Sequence, residues 1–173
     1  MDKSAAIRLI SPGVNRYDLR WADLGCGAGT FTIALASLLS RESTIFAVDN
    51  DEKGLRTLSN SHSEIIKTIH ADFTDISLTL PQLNGILMAN SLHFVADKDS
   101  LMQSLSALLL PEGRILIVEY DTEASNPWVP YPISFDSLRR LVSRLGMSAM
   151  KTGTHPSIYG TREMYAAVIT KSL

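Results

Sequence analysis

The chain has 173 residues, 45% of them apolar, and its 16 Lys and Arg nearly balance 18 Asp and Glu for a formal net charge of −2. That length usually makes one domain around one core, here taken as residues 1–173, and a near-neutral balance without a basic run argues against a protein that coats nucleic acid or a membrane surface. The single cysteine, Cys26, forms no internal disulfide, no Cys/His cluster has metal-ligand spacing, and neither the N-terminal "MDKSAAIRLISPG" nor the Gly-, Ser- and Thr-rich run 24–40 reads as a signal peptide or membrane span, so a metal-free cytoplasmic protein is expected.

Short runs rich in β-branched residues alternate with segments of helical period. Strands are predicted at 20–24, 44–49, 65–71, 84–90 and 114–120, and each ends in polar residues or glycine, where the binding sites of parallel sheets collect. The first intervening helix, 30–39, is apolar nearly all round, as a helix pressed between a sheet and its neighbours would be. A second starts near Asp51. The third, 98–109, carries Leu101, Met102, Leu105, Leu108 and Leu109 on one stripe, with Asp97 or Asp99 as its cap. In the fourth, Phe135, Leu138, Leu141, Val142 and Leu145 repeat at helical spacing opposite Arg139, Arg140 and Arg144, after a Ser134 cap and before Gly146. The tail reads as two strands, 150–154 and 164–170, joined by "HPSIYGTRE" and so antiparallel to each other. The sum is an α/β fold: a seven-stranded, mostly parallel sheet whose last strand is reversed.

Between the first strand and helix, Gly25, Gly27 and Gly29 stand at every second position of "WADLGCGAGTFTIALASLL". Glycine permits positive φ and lets a ligand lie against bare backbone, so the turn reads as a cofactor cradle. The spacing is G-x-G-x-G. A dinucleotide fingerprint places its third glycine or alanine where Thr30 stands, and no Gly-Lys-Ser/Thr follows to make a phosphate-binding P-loop.

The segment "DLGCGAG", from Asp23 to Gly29, resembles the first motif of the class I S-adenosylmethionine-dependent methyltransferases. Asp49 in "FAVDND" matches the acidic residue that ends the family's second strand, and Asp72 in "HADF" matches the one that follows the third. The segment 86–121 is similar to the family's fourth strand, helix and fifth strand. The resemblance implies a Rossmann-like three-layer sandwich and S-adenosylmethionine (SAM) as cofactor. It assigns cofactor binding to Asp23, Gly25, Cys26, Gly27, Gly29, Asp49, Asn50, Asp72, Phe73 and Asn90. Asp49, 20 residues past Gly29 at a strand end, suits a ribose diol, with a helix N-cap as the competing role. Asp72 is placed either on the adenine amino group, with Phe73 at the ring edge, or in a turn. Asp23 is expected to orient the glycine turn and the cofactor's amino-acid end, and Cys26 is a small buried filler.

Methyl transfer needs alignment more than acid–base chemistry, so the acceptor leaves fewer marks. If a proton must be removed, the candidates are His93, Asp121 and His155, each near a strand end or loop; as a lone histidine, His93 fits a shaping role slightly better than that of a base. Trp128 and Tyr131, among the prolines of 119–135, either flank a flat acceptor or pack the loop onto the sheet. About twenty residues precede the glycine motif, fewer than many small-molecule members use as a cap, so the site is expected to be open or closed by a second subunit of a homodimer. "NSLHF" lacks the Asn/Asp-Pro-Pro-aromatic signature used on amino groups of bases or glutamine. A small-molecule acceptor is therefore expected, the alternatives being methylation of protein or RNA through an open cleft, or a non-catalytic SAM-binding partner subunit.

Overall fold

The computed structural model describes residues 1–59, 64–75, 79–156 and 163–171. Five strands, β1 (Arg20–Leu24), β2 (Thr44–Asp49), β3 (Ile66–His70), β4 (Leu83–Ala89) and β5 (Leu109–Tyr120), run parallel; β6 (Met147–Pro156) and β7 (Glu163–Lys171) complete a 7-stranded sheet of order β3-β2-β1-β4-β5-β7-β6. Only β7 opposes its neighbours: it pairs antiparallel with both β5 and β6. The expected reversal of the last strand therefore holds, and the loop residues 157–162 lie outside the described residues.

The helices are α1 (Lys3–Ile10), α2 (Thr30–Leu38), α3 (Glu52–Ser59), α4 (Lys98–Leu108) and α5 (Phe135–Arg144). Side-chain alternation along the strands sorts them onto two faces. Trp21, Ile45, Leu87, Leu116 and Val118 meet Ala6, Leu9 and Ile10 of α1 and Phe31, Ala34 and Leu35 of α2, with α3 packed beside them through Leu55 and Leu58 on Ala47. On the other face Ala22, Ile86, Met88, Ile115 and Ile117 meet Leu101, Met102 and Leu105 of α4 and Leu138, Leu141 and Val142 of α5. Each fully buried Leu, Ile or Phe contributes about 1.5–3 kcal/mol, so these two layers hold the sheet between them. Gly85 is required by one such contact: a Cβ there would stand 2.4 Å from the Trp21 ring.

Helix α1 was not among the predicted elements. Asp2 caps it, accepting from the Ala5 N–H at 2.8 Å, and Ala5, Ala6, Leu9 and Ile10 bury its inner face. It packs on α2 and brings Met1 to the rim of the glycine turn. The short segment before the motif thus reaches the glycine turn but not the aromatic-walled side of the crevice. Because β1 pairs with β2 on one side and β4 on the other, the order in which strands are added reverses between β1 and β4, and a crevice opens at their carboxyl ends.

Candidate active site

Gly25, Gly27 and Gly29 have φ of 76°, 52° and 88°, all left-handed, and they carry the chain from β1 into α2. Their surroundings differ. A Cβ on Gly25 would lie 2.4 Å from the Ser91 Cβ, and one on Gly29 would lie 2.4 Å from Leu58 Cδ1, whereas one on Gly27 would meet nothing within 4 Å. Gly25 and Gly29 are fixed by packing as well as by φ. Gly27 leaves bare backbone facing open space. The turn is tied down by Val48, whose carbonyl accepts from the N–H groups of Gly25 and Cys26, and by Asp49, whose Oδ2 accepts from the Gly27 N–H at 2.7 Å.

Asp23 is buried, accepting at Oδ2 from the Thr32 hydroxyl at 2.6 Å. Burial pushes its carboxyl up to about 7, against the Thr32 hydrogen bond and aided by the nearby Asp49 charge. Its Oδ1 and the Oδ1 of Asn90 are the two side-chain polar atoms that are both sealed from solvent and unpartnered among the described residues. Asn90 is also the only described non-glycine residue with positive φ, 56°. Cys26 lies in the turn, and burial, then the charges of Asp23 and Asp49, push its thiol well above the usual range, which suits a filler and not a nucleophile.

Asp49 Oδ1 accepts from the Asp51 N–H at 2.8 Å, while Asp51 itself accepts from the Lys53 N–H at 3.0 Å and occupies the capping position before α3. Asp49 therefore braces the turn rather than capping the helix, and each of its oxygens retains a lone pair. Asp72 accepts at Oδ1 from the hydroxyl and N–H of Thr74; these bonds hold its carboxyl below the usual range. It forms a turn and lines the crevice at once.

Three cavities meet along the crevice. One of about 300 Å³ is lined by Asp23, Gly25, Cys26, Gly27 and Asn90, with Met1 and Phe31. A second, about 240 Å³, is lined by Gly25, Asp49, Asn50, Asp72, Phe73 and Asn90, with Ser91 and Phe94. The third, about 490 Å³, is walled by His93, Phe94, Tyr120, Thr122, Asn126, Trp128 and Val129, again with Asn90. Asn90 lines all three.

The third cavity rests on contacts that sequence spacing did not disclose. His93 follows β4 in a short 3-10 turn, Glu119 is the penultimate residue of β5, and both are buried; the His93 ring Nδ1 lies 2.9 Å from Glu119 Oε2. Glu119 was missed, though an acid inside the apolar run "RILIVEY" is the signal that marks it. The opposite wall is a tight turn in which Asn126 and Val129 exchange backbone hydrogen bonds and Asn126 Oδ1 accepts from the N–H groups of Trp128 and Val129, at 2.9 and 3.0 Å. Trp128 stands on this turn 83% exposed. Lys98 ties the walls together: its ammonium donates to the carbonyls of Val95 and Tyr131, and the Tyr131 N–H donates to the His93 carbonyl. Burial lowers the Lys98 pKa, opposed by the charges of Glu119 and Glu123.

Four predicted site residues stand apart from these cavities. Gly29 packs against Leu58 behind the turn. Tyr131 acts through its backbone, its ring lying near the Lys98 ammonium. Asp121 accepts from Lys151 Nζ and the Phe135 N–H, both at 2.9 Å; burial raises its pKa but these bonds bring it below the usual range. His155 sits on edge strand β6 opposite Met164 of β7. Neither Asp121 nor His155 lines the large cavity, because one is consumed in bracing α5 and the other lies on the outermost strand.

A family model described as a methyltransferase domain matches residues 16–153. The chain belongs to this methyltransferase family. Among solved structures, the methyltransferase superposes on the YcgJ protein of Bacillus subtilis with a TM-score of 0.80 and 13% identity, covering 98% of this chain and 99% of that one. It superposes equally, TM-score 0.80 at 17% identity, on the 1,6-didemethyltoxoflavin-N1-methyltransferase of Burkholderia thailandensis, covering 99% of this chain and 78% of that one. At such identities the likeness establishes the fold. In sequence it is 23% identical over 126 residues to a tRNA1(Val) (adenine(37)-N6)-methyltransferase of Musicola paradisiaca, matching 60% of this chain and spanning about half, 51%, of that relative's length. Among the described residues no helix is long and apolar enough to cross a membrane, and no His, Cys, Asp and Glu group forms a metal site.

Proposed function

We propose that this methyltransferase moves a methyl group from SAM to a small, flat acceptor held between Phe94 and Trp128. The observation that carries the reading is the position of Asn90. It lines the cavity of the glycine turn, the cavity of Asp49 and Asp72, and the aromatic-walled cavity, so a donor filling the first two meets an acceptor in the third.

The donor cavities fit SAM on their own chemistry. Two sealed acceptor atoms, Asp23 Oδ1 and Asn90 Oδ1, await donors, and a cationic amino-acid end supplies them. Asp49 retains lone pairs for a ribose diol, and Asp72 with Phe73 lines the part of the crevice suited to the base. The bare backbone at Gly27 leaves room for close approach. When bound, the cofactor supplies an electrophilic methyl group on a sulfonium. The chain's contribution is to hold both reactants in line and away from water. The acceptor cavity, largely apolar with a few polar groups, has the character of a small-molecule site. The chain's free buried thiol, Cys26, suits a reducing cytoplasm.

Calorimetry with S-adenosylhomocysteine (SAH) and with NAD tests the donor assignment; SAH is expected to bind and NAD is not. Labelled SAM offered with metabolite pools and with tRNA then tests the acceptor. Transfer into a small molecule supports the reading, transfer into tRNA alone replaces it with the RNA alternative, and SAH binding without transfer to any pool favours a non-catalytic binding subunit.

A further inference from the structure

We infer that Glu119 and His93 form a proton-accepting pair, and that the acceptor of this enzyme therefore carries its nucleophilic atom as O–H or N–H. The inference rests on the methyl-transfer reading above and deepens it.

The hydrogen bonds set the roles. Glu119 Oε1 faces the His93 backbone N–H at 3.1 Å, and Oε2 faces the Tyr120 N–H at 3.3 Å. A backbone N–H only donates, so both oxygens are held as acceptors. The ring Nδ1, 3.1 Å from Oε1 and 2.9 Å from Oε2, donates to this carboxylate, which leaves the lone pair on Nε2. Nε2 has no partner among the described residues, and the His93 ring lines the 490 Å³ cavity beside Asn90 and Phe94. A carboxylate on Nδ1 fixes the tautomer and can balance the charge of an imidazolium, and the Nε2 left bare is the atom that can take a proton from a molecule in the cavity. The buried carboxylate is accommodated by these three donors and by the field of Lys98.

The step balances. A lone pair on the acceptor O or N forms the new bond to the methyl carbon as the carbon–sulfur bond breaks, its electron pair passing to sulfur and converting the sulfonium to a thioether. The proton of that O–H or N–H passes to His93 Nε2 and then to water, while Glu119 balances the imidazolium charge. His93 is the catalytic residue and Glu119 positions it. An acceptor without that proton, such as a pyridine nitrogen or a thioether, has no use for the pair.

Two measurements test this. In isotope-labelled protein saturated with SAH, above neutral pH, the imidazole nitrogen shifts of His93, assigned by their loss in His93→Gln, should report a protonated Nδ1 and a bare Nε2; Glu119→Gln should weaken that tautomer preference while SAH still binds. A protonated Nε2 in the parent, or an unchanged tautomer in a folded Glu119→Gln, overturns the pair. The second measurement offers labelled SAM with planar phenols and N–H heteroaromatics of graded acidity, and with pyridines and aryl thioethers of similar size. Transfer should be confined to the O–H and N–H compounds, and His93→Gln should lose roughly a hundredfold or more on the weakest acids and progressively less on those already ionised. Transfer to pyridines or thioethers, or a loss independent of acidity, overturns the proposal, whereas SAH binding with no transfer to any compound overturns the methyl-transfer reading on which it rests. Failure to bind SAH at all would sink the donor assignment instead, so the two failures are told apart.

Discussion

Asp23 is a carboxyl with one satisfied oxygen and one sealed orphan, held up at about 7 by burial. In the unfolded chain its pKa returns to 3.8. Between those values the folded state binds the extra proton, so this group's contribution to stability falls as pH rises from about 4 to about 7 and is constant above. Asp23→Asn should remove that slope, and comparing thermal melts of parent and variant across the window checks it. An ammonium brought to Oδ1 reverses the preference by favouring the carboxylate. SAH binding below neutral pH should accordingly release a proton and tighten with pH, by at most about tenfold per unit, as calorimetry in buffers of different ionisation enthalpy would show. Affinity flat across this range would separate Asp23 from the amino-acid end. For Asp49, removal to Ala should weaken SAH by roughly 1.5–3 kcal/mol, about ten- to a hundredfold, with some loss of stability because the bonds from Gly27 and Asp51 go too. Lost stability with unchanged affinity would assign the residue to the turn alone.

The glycine turn allows the packing and binding roles of one element to be separated by substitution. At Gly29 an alanine meets both a left-handed φ and Leu58, so Gly29→Ala should destabilise the fold by roughly 2–4 kcal/mol. At Gly27 only φ resists, so Gly27→Ala should lose about 1–2 kcal/mol but add a methyl at the rim of the donor cavity and weaken SAH more than its stability loss explains. Denaturation and calorimetry on the two variants would decide; equal effects on affinity would deny Gly27 its separate part. The turn was legible because its signal is local: strand, spaced glycines and helix lie within 20 residues. The same holds for β1 and β2, whose predicted and observed bounds coincide, and for α4 and α5, which differ by one residue at their ends. Elements set by tertiary contact were less legible. Strand β5 begins at Leu109 rather than Arg114, through Pro111 and Gly113, because Leu109 pairs with Leu83 across an irregular register. Helix α1, only 8 residues long, has little intrinsic stability and is held by docking on α2.

At the scale of the molecule, the half of the crevice proposed for the donor is built from strand ends that appear in sequence order, whereas the half proposed for the acceptor is assembled by contacts between distant segments. His93 meets Glu119 across 26 residues, and Lys98 reaches Tyr131 across 33. No spacing rule announces such pairs, which is why Asp121 and His155 were plausible candidates and Glu119 was not named. Trp128, like His93, is a predicted residue that lines the aromatic-walled cavity, and its placement makes a separable test. The Asn126 turn holds its backbone in a closed pair of hydrogen bonds while leaving the ring in solvent, so an arriving flat molecule has only the side-chain rotation of the ring to order on contact. Phe94, 58% exposed, stands on another wall of the same cavity. Trp128→Ala removes almost no buried area, so stability should stay within about 0.5 kcal/mol and SAH affinity within a few-fold. Methyl transfer should fall by roughly tenfold or more through the acceptor's KM, and Phe94→Ala should add to the loss. Tyr131→Ala should have a much smaller effect, since the contacts from Tyr131 to His93 and Lys98 that hold the wall are made by its backbone. Steady-state kinetics on the three variants with one acceptor would distinguish the cases: if Tyr131→Ala is as damaging as Trp128→Ala, the whole loop acts by packing; if only Trp128 and Phe94 matter, the acceptor is held against their rings.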